Sequence, residues 1–399
     1  MASTGGLYPA LAATTIAQAL ATLTTFVLPV LAPTVARDLG AEPYWIGYQV
    51  ALVYVMASAV SALSAGALQR WGPARCTQIA LLAAGIACLL IALGGLPGAA
   101  LGSLLVGLGY GLTNPAASQV LSRLTPPSKR NMIFAVKQTG VPIGGTLAGL
   151  LLPSLALLLG WRGAVVAVAA ALLLAAAGIG RFRAAWDAGR DPHYPLRAGS
   201  GGGIAALRER PGLAGLATTS GLFSAFQLAL GAYTVTMLVE EFGWDPVAAG
   251  GLAAATQAIG AAARLVWGLV ADRGGSGLRT LARIGLITAL GAILLPVARS
   301  WPSAGVVGLF CLLGTSAAAW NGVLMAEAAR LAAPGKAGDA AGGVLAVAFA
   351  GVVVGPSILG LLVGAVRSYA LAFGLLALLP LVGAAIAWRT ARREAAIRR

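Results

Sequence analysis

GLTNPAASQVLSRLTPP, residues 111–127, has a counterpart in the second half of the chain, AAAWNGVLMAEAARLAAP at 317–334. Asn114 pairs with Asn321, Arg123 with Arg330 and Pro127 with Pro334. Two more stretches repeat in the same order: RDLGAEP (37–43) with EEFGWDP (240–246), and GVPIGGTLAG (140–149) with GVVVGPSILG (351–360). One large unit has been duplicated.

The unit is built of apolar helices. Of the 399 residues, 59% are hydrophobic and only 10% charged, and the mean hydropathy is +0.87, outside the range of ordinary soluble domains. Runs of 18 or more apolar residues, each able to cross a ~30 Å hydrocarbon core as a helix, recur along the chain. Strand alternation is absent, which argues against a β-barrel. The first run, Tyr8 to Ala36, lacks a basic leader and a cleavage pattern and reads as a retained helix. The expected spans are 8–36, 44–68, 76–95, 99–123, 131–155, 162–183, 212–239, 247–271, 279–298, 303–330, 341–364 and 369–390. The fold class is therefore an all-α membrane protein of twelve transmembrane helices in two six-helix, pseudo-symmetric halves, 1–183 and 212–399. Six is even, so the halves share one orientation, a mark of one transporter architecture. Residues 184–211, with GSGGG at 199–203, read as a flexible linker.

Basic residues outnumber acidic ones by 27 to 12. Most fall in loops on the side of the termini, among them Arg70, Arg75, Lys129, Arg181, Arg273, Lys336 and Arg392. The opposite side has Arg37, Arg162, Arg299 and Arg367, and two cations, Lys137 and Arg264, lie inside spans. This asymmetry places both termini in the cytoplasm and the chain in the inner membrane. The basic excess is a topology signal, so no nucleic-acid partner is needed. Cys76, Cys88 and Cys311 have no metal or redox spacing and read as packing residues. The single histidine, His193, falls in the linker. No cluster of catalytic type is present, so no enzyme activity, metal or cofactor is expected.

Polar residues inside the spans select some helices. Gln18, Gln49, Asn114, Gln119, Lys137, Gln138, Gln227, Gln257, Arg264 and Asn321 fall in helices 1, 2, 4, 5, 7, 8 and 10, while helices 3, 6, 9 and 12 are apolar through their centres. Polar side chains in a membrane face a cavity or a partner. Asn114, Asn321, Gln18, Gln227, Gln257 and Trp320 are expected to line that cavity, with Tyr54, Tyr233 and Phe349 as apolar walls. Gly145/Gly149, Gly351/Gly355 and Gly360/Gly364 have the spacing of close helix packing.

GLVADRGG (268–275), between helices 8 and 9, resembles the loop signature Gly-x-x-x-Asp-Arg-x-Gly of the major facilitator superfamily. The resemblance extends over nearly the whole chain. It implies a gating role for Asp272 and Arg273, framed by Gly268 and Gly275, at the cytoplasmic face. The first-half copy, AGALQRWGPAR (65–75), keeps Arg70, Gly72 and Arg75 but has Gln69 in place of the acid. GVPIGG (140–145) matches the helix-5 glycine-proline signature of drug antiporters only in part.

Lys137 and Arg264 carry the chemistry. From the span midpoints, Lys137 lies ~9 Å and Arg264 ~8 Å on the cytoplasmic side of centre. The repeat aligns Lys137 with Ala348, Gln138 with Phe349 and Arg264 with Ser61, so neither cation is needed merely to build the duplicated fold. All the acidic residues lie in loops or at helix ends, Glu327 near the cytoplasmic end of helix 10 among them. An anion from outside is then the natural partner, and the arrangement resembles the organic-anion branches of the superfamily. The function expected is secondary active transport of a small organic anion, a carboxylate, by a monomer in the lipid bilayer, with protons as candidate coupling ions. The alternative is an exporter of drugs or hydrophobic compounds. Gln138 beside Lys137 completes the expected substrate-binding residues.

Overall fold

A computed structural model of the protein describes residues 6–126, 130–196, 207–208, 210–273, 276–332 and 337–397. Long helices make up nearly all of it, and no strand occurs among the described residues. Among the described residues, eleven segments are long and apolar enough to cross a membrane. One of them runs from Val136 to Trp186 and is interrupted at Gly160, whose φ of 71° and ψ of 161° are non-helical. That left-handed φ suits glycine. The segment therefore holds two of the twelve expected spans.

The chain divides into two compact units, Met1–Glu42 with Leu52–Gly199, and Pro43–Ala51 with Ser200–Arg399. The first contains α1 (Leu7–Leu39), most of α2 (Ile46–Trp71), α3 (Pro73–Leu93), α4 (Gly95–Leu124), α5 (Arg130–Gln138), α6 (Gly140–Ile179) and the short α7 (Arg183–Trp186). The second contains α8 (Pro211–Glu240), α9 (Pro246–Arg273), α10 (Gly277–Ala298), α11 (Ser303–Ala317), α12 (Asn321–Leu331), α13 (Ala337–Val366), α14 (Tyr369–Leu376) and α15 (Leu378–Ile397).

Each unit is organised about its first helix. α1 and α8 are the most buried helices of their respective units. α1 tolerates buried polar residues because Thr14, Thr24 and Thr25 return their hydroxyl protons to carbonyls of the same helix, at 2.7–2.8 Å. The duplication is visible in the packing. In the first unit Gly140 and Gly144 of α6 lie against the carbonyls of Thr15 and Ala19; in the second, Gly351 and Gly355 of α13 lie against those of Gly221 and Ala225. A Cβ at any of the four would run into backbone oxygen, so glycine lets the two axes approach. The first-unit contact thus uses the pair five residues before Gly145/Gly149.

The segment read as a flexible linker begins as ordered structure. Trp186 is buried and stacks on Phe182 with ring centroids 4.6 Å apart. Asp187 accepts hydrogen bonds from the amides of Ala74 (2.7 Å) and Arg75 (3.3 Å) at the start of α3, and the Asp191 amide donates to the Gln69 carbonyl at 2.8 Å. The glycine run at 199–203 lies outside the described residues.

Candidate functional site: a lysine held by amides

The span that carries Lys137 is kinked. Pro142 has no amide hydrogen for the carbonyl of Gln138, and its ring crowds that oxygen. α5 ends at Gln138, Thr139 turns with its amide on the Val136 carbonyl (3.1 Å), and α6 begins at Gly140. Lys137 thus lies in the turn before a kink; Thr139 keeps helical dihedrals, φ −65° and ψ −18°, so the helical path continues through it. Gly140 and Gly144 then hold this corner against α1.

The lysine is fully buried, at 1% exposure, and its ammonium is surrounded by amide oxygens. Nζ donates to Gln18 Oε1 of α1 (3.1 Å), to Asn114 Oδ1 of α4 and to Gln138 Oε1 (3.3 Å). Gln18 is buried and its own Nε2 donates to Thr22 Oγ1 at 3.4 Å. The side chains of Asn114 and Gln138 are exposed. The ion pairs among the described residues are Asp38–Arg162 and Glu327–Arg330, and neither involves Lys137. A cation in a membrane span costs on the order of 3 kcal/mol. Three charge-assisted hydrogen bonds of about 1.5–3 kcal/mol each offset that. They satisfy the protons, and no carboxylate among the described residues pairs with the charge.

Of the three amides around Lys137 the second unit keeps the counterpart of one, Asn321 for Asn114, and it lacks the cation. Asn321 Nδ2 donates to Gln227 Oε1 at 3.4 Å, and Ala348 occupies the position equivalent to Lys137. Its own charged residue, Arg264 of α9, is half-buried, and Nε donates to the carbonyl of Ala318 at 3.1 Å. Ala318 lies where the tenth span breaks, between α11 and α12. One turn further along α9, Trp267 Nε1 donates to the carbonyl of Thr315 at 2.6 Å. Side chains of α9 therefore take up carbonyls at the interruption. Gln257 is half-buried two turns before Arg264 on the same face of α9.

The aromatic residues divide. Trp320 lies in the apolar core of the second unit, 2% exposed, with its ring edge toward Phe223 at 5.9 Å and its Nε1 on the Ala317 carbonyl. Tyr233 is completely buried, its hydroxyl 2.5 Å from the Tyr44 carbonyl and 3.3 Å from that of Pro356. Tyr54 packs edge-on against Tyr110 at 5.6 Å, and Phe349 is half-buried on α13. Of the loop residues, Arg70 is half-buried at the end of α2, Gly268 lies within α9 and Arg273 is exposed at its end. The Asp272 side chain and Gly275 lie outside the described residues.

Sequence reasoning missed Thr22, Trp267 and Asp187. Trp267 gave no signal, since an indole near a helix end is ordinary in a membrane protein. Asp187 was masked by its place in a polar segment. Glu327, only 5% exposed, holds the start of α10 through the Gly277 amide (2.7 Å) and pairs with Arg330.

The sequence matches the family model of the Major Facilitator Superfamily over residues 14–343. The chain belongs to the major facilitator superfamily. The fold agrees with this membership. A bacterial homolog of the human lysosomal transporter Spinster, in an inward-facing and unoccupied conformation, superposes with a TM-score of 0.81 at 14% identity, covering 97% of each chain. A POT family transporter in complex with 5-aminolevulinic acid gives 0.75 at 14% identity, with 95% of this chain and 94% of that one covered. A peptide transporter POT in complex with sulfate gives 0.76, also at 14%, with 98% and 94% covered. No curated protein sequence is a significant match. As a superfamily member the protein is a multi-pass membrane transporter, and the likeness to these structures concerns the fold.

Proposed function

We propose that this superfamily transporter carries a small organic anion, a carboxylate, by alternating access, in a cytoplasmic membrane with both termini inside. The observation that carries the reading is the shell of Lys137. A buried ammonium with three neutral oxygens around it has its hydrogen bonds but no counter-charge among the described residues, and an acidic substrate supplies one. The repeat supports the reading, because Ala348 shows that the fold is built without a cation at this position. Two POT structures of the same fold hold 5-aminolevulinic acid, which carries a carboxyl group, and sulfate, an anion.

A thermal-shift screen of the purified protein against carboxylates, amines and lipophilic cations tests it. Carboxylates should raise the melting temperature, since a ligand that binds only the folded state stabilises it by mass action. Stabilisation by cations alone would overturn the proposal.

The second reading, export of hydrophobic drugs, calls for an intramembrane carboxylate to take up cations and protons. The buried acid among the described residues is Glu327, and its oxygens are engaged by Gly277 and Arg330. That engagement favours the anion reading.

A further inference from the structure

The geometry around Lys137 fixes more than the sign of the substrate. An ammonium group has three protons and no acceptor capacity. The three side-chain amides that meet it, from Gln18, Asn114 and Gln138, must therefore turn their oxygens inward, which settles the orientation of each. Three oxygens take three protons, so the lysine has no donor left over. The NH2 groups of the same amides must point elsewhere. That of Gln18 is buried and bound to Thr22. Those of Asn114 and Gln138 belong to exposed side chains, and each offers two N–H bonds at the accessible surface of the unit.

We infer that the carboxylate of the substrate sits on the amide N–H groups of Asn114 and Gln138, which relay the charge of Lys137 outward, and does not touch the ammonium itself. The inference rests on the anion reading above. A cation behind each carbonyl polarises the amide and strengthens the N–H at its other end. Direct contact with Nζ would first require breaking a charge-assisted bond to an amide oxygen. The relay also sets the substrate class. Its outer face presents donors, while its oxygens are committed to the lysine. A carboxylate, which only accepts, is matched to it. An ammonium group next to that carboxylate faces the field of Lys137. Simple monocarboxylates are therefore preferred over amino acids.

Isothermal titration of benzoate, with glycine as the counter-probe, into the detergent-purified full-length protein tests this. Asn114→Ala and Gln138→Ala should each weaken benzoate binding by about tenfold, one hydrogen bond's share. Asn114→Asp should abolish it, since a carboxylate there still accepts from Lys137 but offers no N–H. That variant should also melt at or above the wild-type temperature, so lost binding is not misfolding. Glycine should bind neither wild type nor variants. If either alanine variant binds benzoate as well as wild type, or better, while Lys137→Ala does not bind, the anion contacts the lysine directly and the relay is wrong. If Lys137→Ala itself binds benzoate normally, the underlying anion reading fails instead.

Discussion

The ammonium of Lys137 lies 3.1 Å from the side-chain oxygen of Gln18, a residue 119 positions earlier in the chain and itself only 2% exposed. The pair ties the kinked fifth span to the central helix of its unit. Gln18→Leu removes the most buried of the lysine's acceptors at little cost in volume. It should destabilise the protein by about 1–3 kcal/mol, the penalty for a buried donor left unmade. The apparent melting temperature would show this, and an unchanged value would mean that water replaces Gln18 at no cost.

Gly144 and Gly355 make the same contact in the two units, against the carbonyls of Ala19 and Ala225. Alanine at either site forces the helices apart and should cost about 1–3 kcal/mol by overpacking. The same substitution at Gly322, which has open space beside its Cα, should be neutral for packing. Melting temperatures of the three variants test the contrast, and equal effects at all three would refute the packing argument.

Trp267 and Arg264 take up the carbonyls of Thr315 and Ala318 at the interruption between α11 and α12. Trp267→Phe keeps a ring and removes the donor. It should lower stability by about 1–3 kcal/mol, because the Thr315 oxygen is left unpaired in an apolar setting. Hydrogen exchange over residues 315–321 should rise in the variant. No change in exchange would show that the interruption is held by other contacts.

Asp187 gives a pH dependence. Burial pushes its carboxyl above the ordinary range, and the hydrogen bonds from Ala74 and Arg75 offset only part of that. The folded chain therefore holds this proton more tightly than the unfolded one. The resulting stabilisation is complete below the unfolded value of about 3.9 and is lost as the pH rises through the elevated folded value. Asp187→Asn removes the titration, so wild type should gain on this variant as the pH falls from 7 to 4. Asp187→Ala, which strips an acceptor from the start of α3, should cost about 1 kcal/mol at neutral pH. Melting curves at both pH values decide the sign; a wild type that loses ground to Asp187→Asn on acidification contradicts it.

Much of this was legible in the residues. The repeats around Asn114/Asn321 and the apolar runs gave the duplicated helical fold, because hydropathy is the dominant constraint in a bilayer. Lys137 stood out for the same reason, as a charge where charges are costly. Its surroundings were harder. Pro142 was in plain view, yet the kink it sets just after Lys137 went unread. Trp320 reads as a cavity residue by position, but its span is apolar on several sides, and periodicity does not say which side meets the core. The partners of Arg264 depend on a break at 318–320 that no proline announces.

The central claim is that the positive charge of Lys137 serves an anionic substrate. Uptake of a radiolabelled carboxylate, chosen from those that raise the melting temperature, into proteoliposomes holding wild type or Lys137→Ala tests it most directly. The account predicts that the variant reconstitutes to the same protein level and loses transport by at least about a hundredfold, the worth of a buried charge that the substrate's own charge offsets. Uptake by Lys137→Ala at the wild-type rate would contradict it.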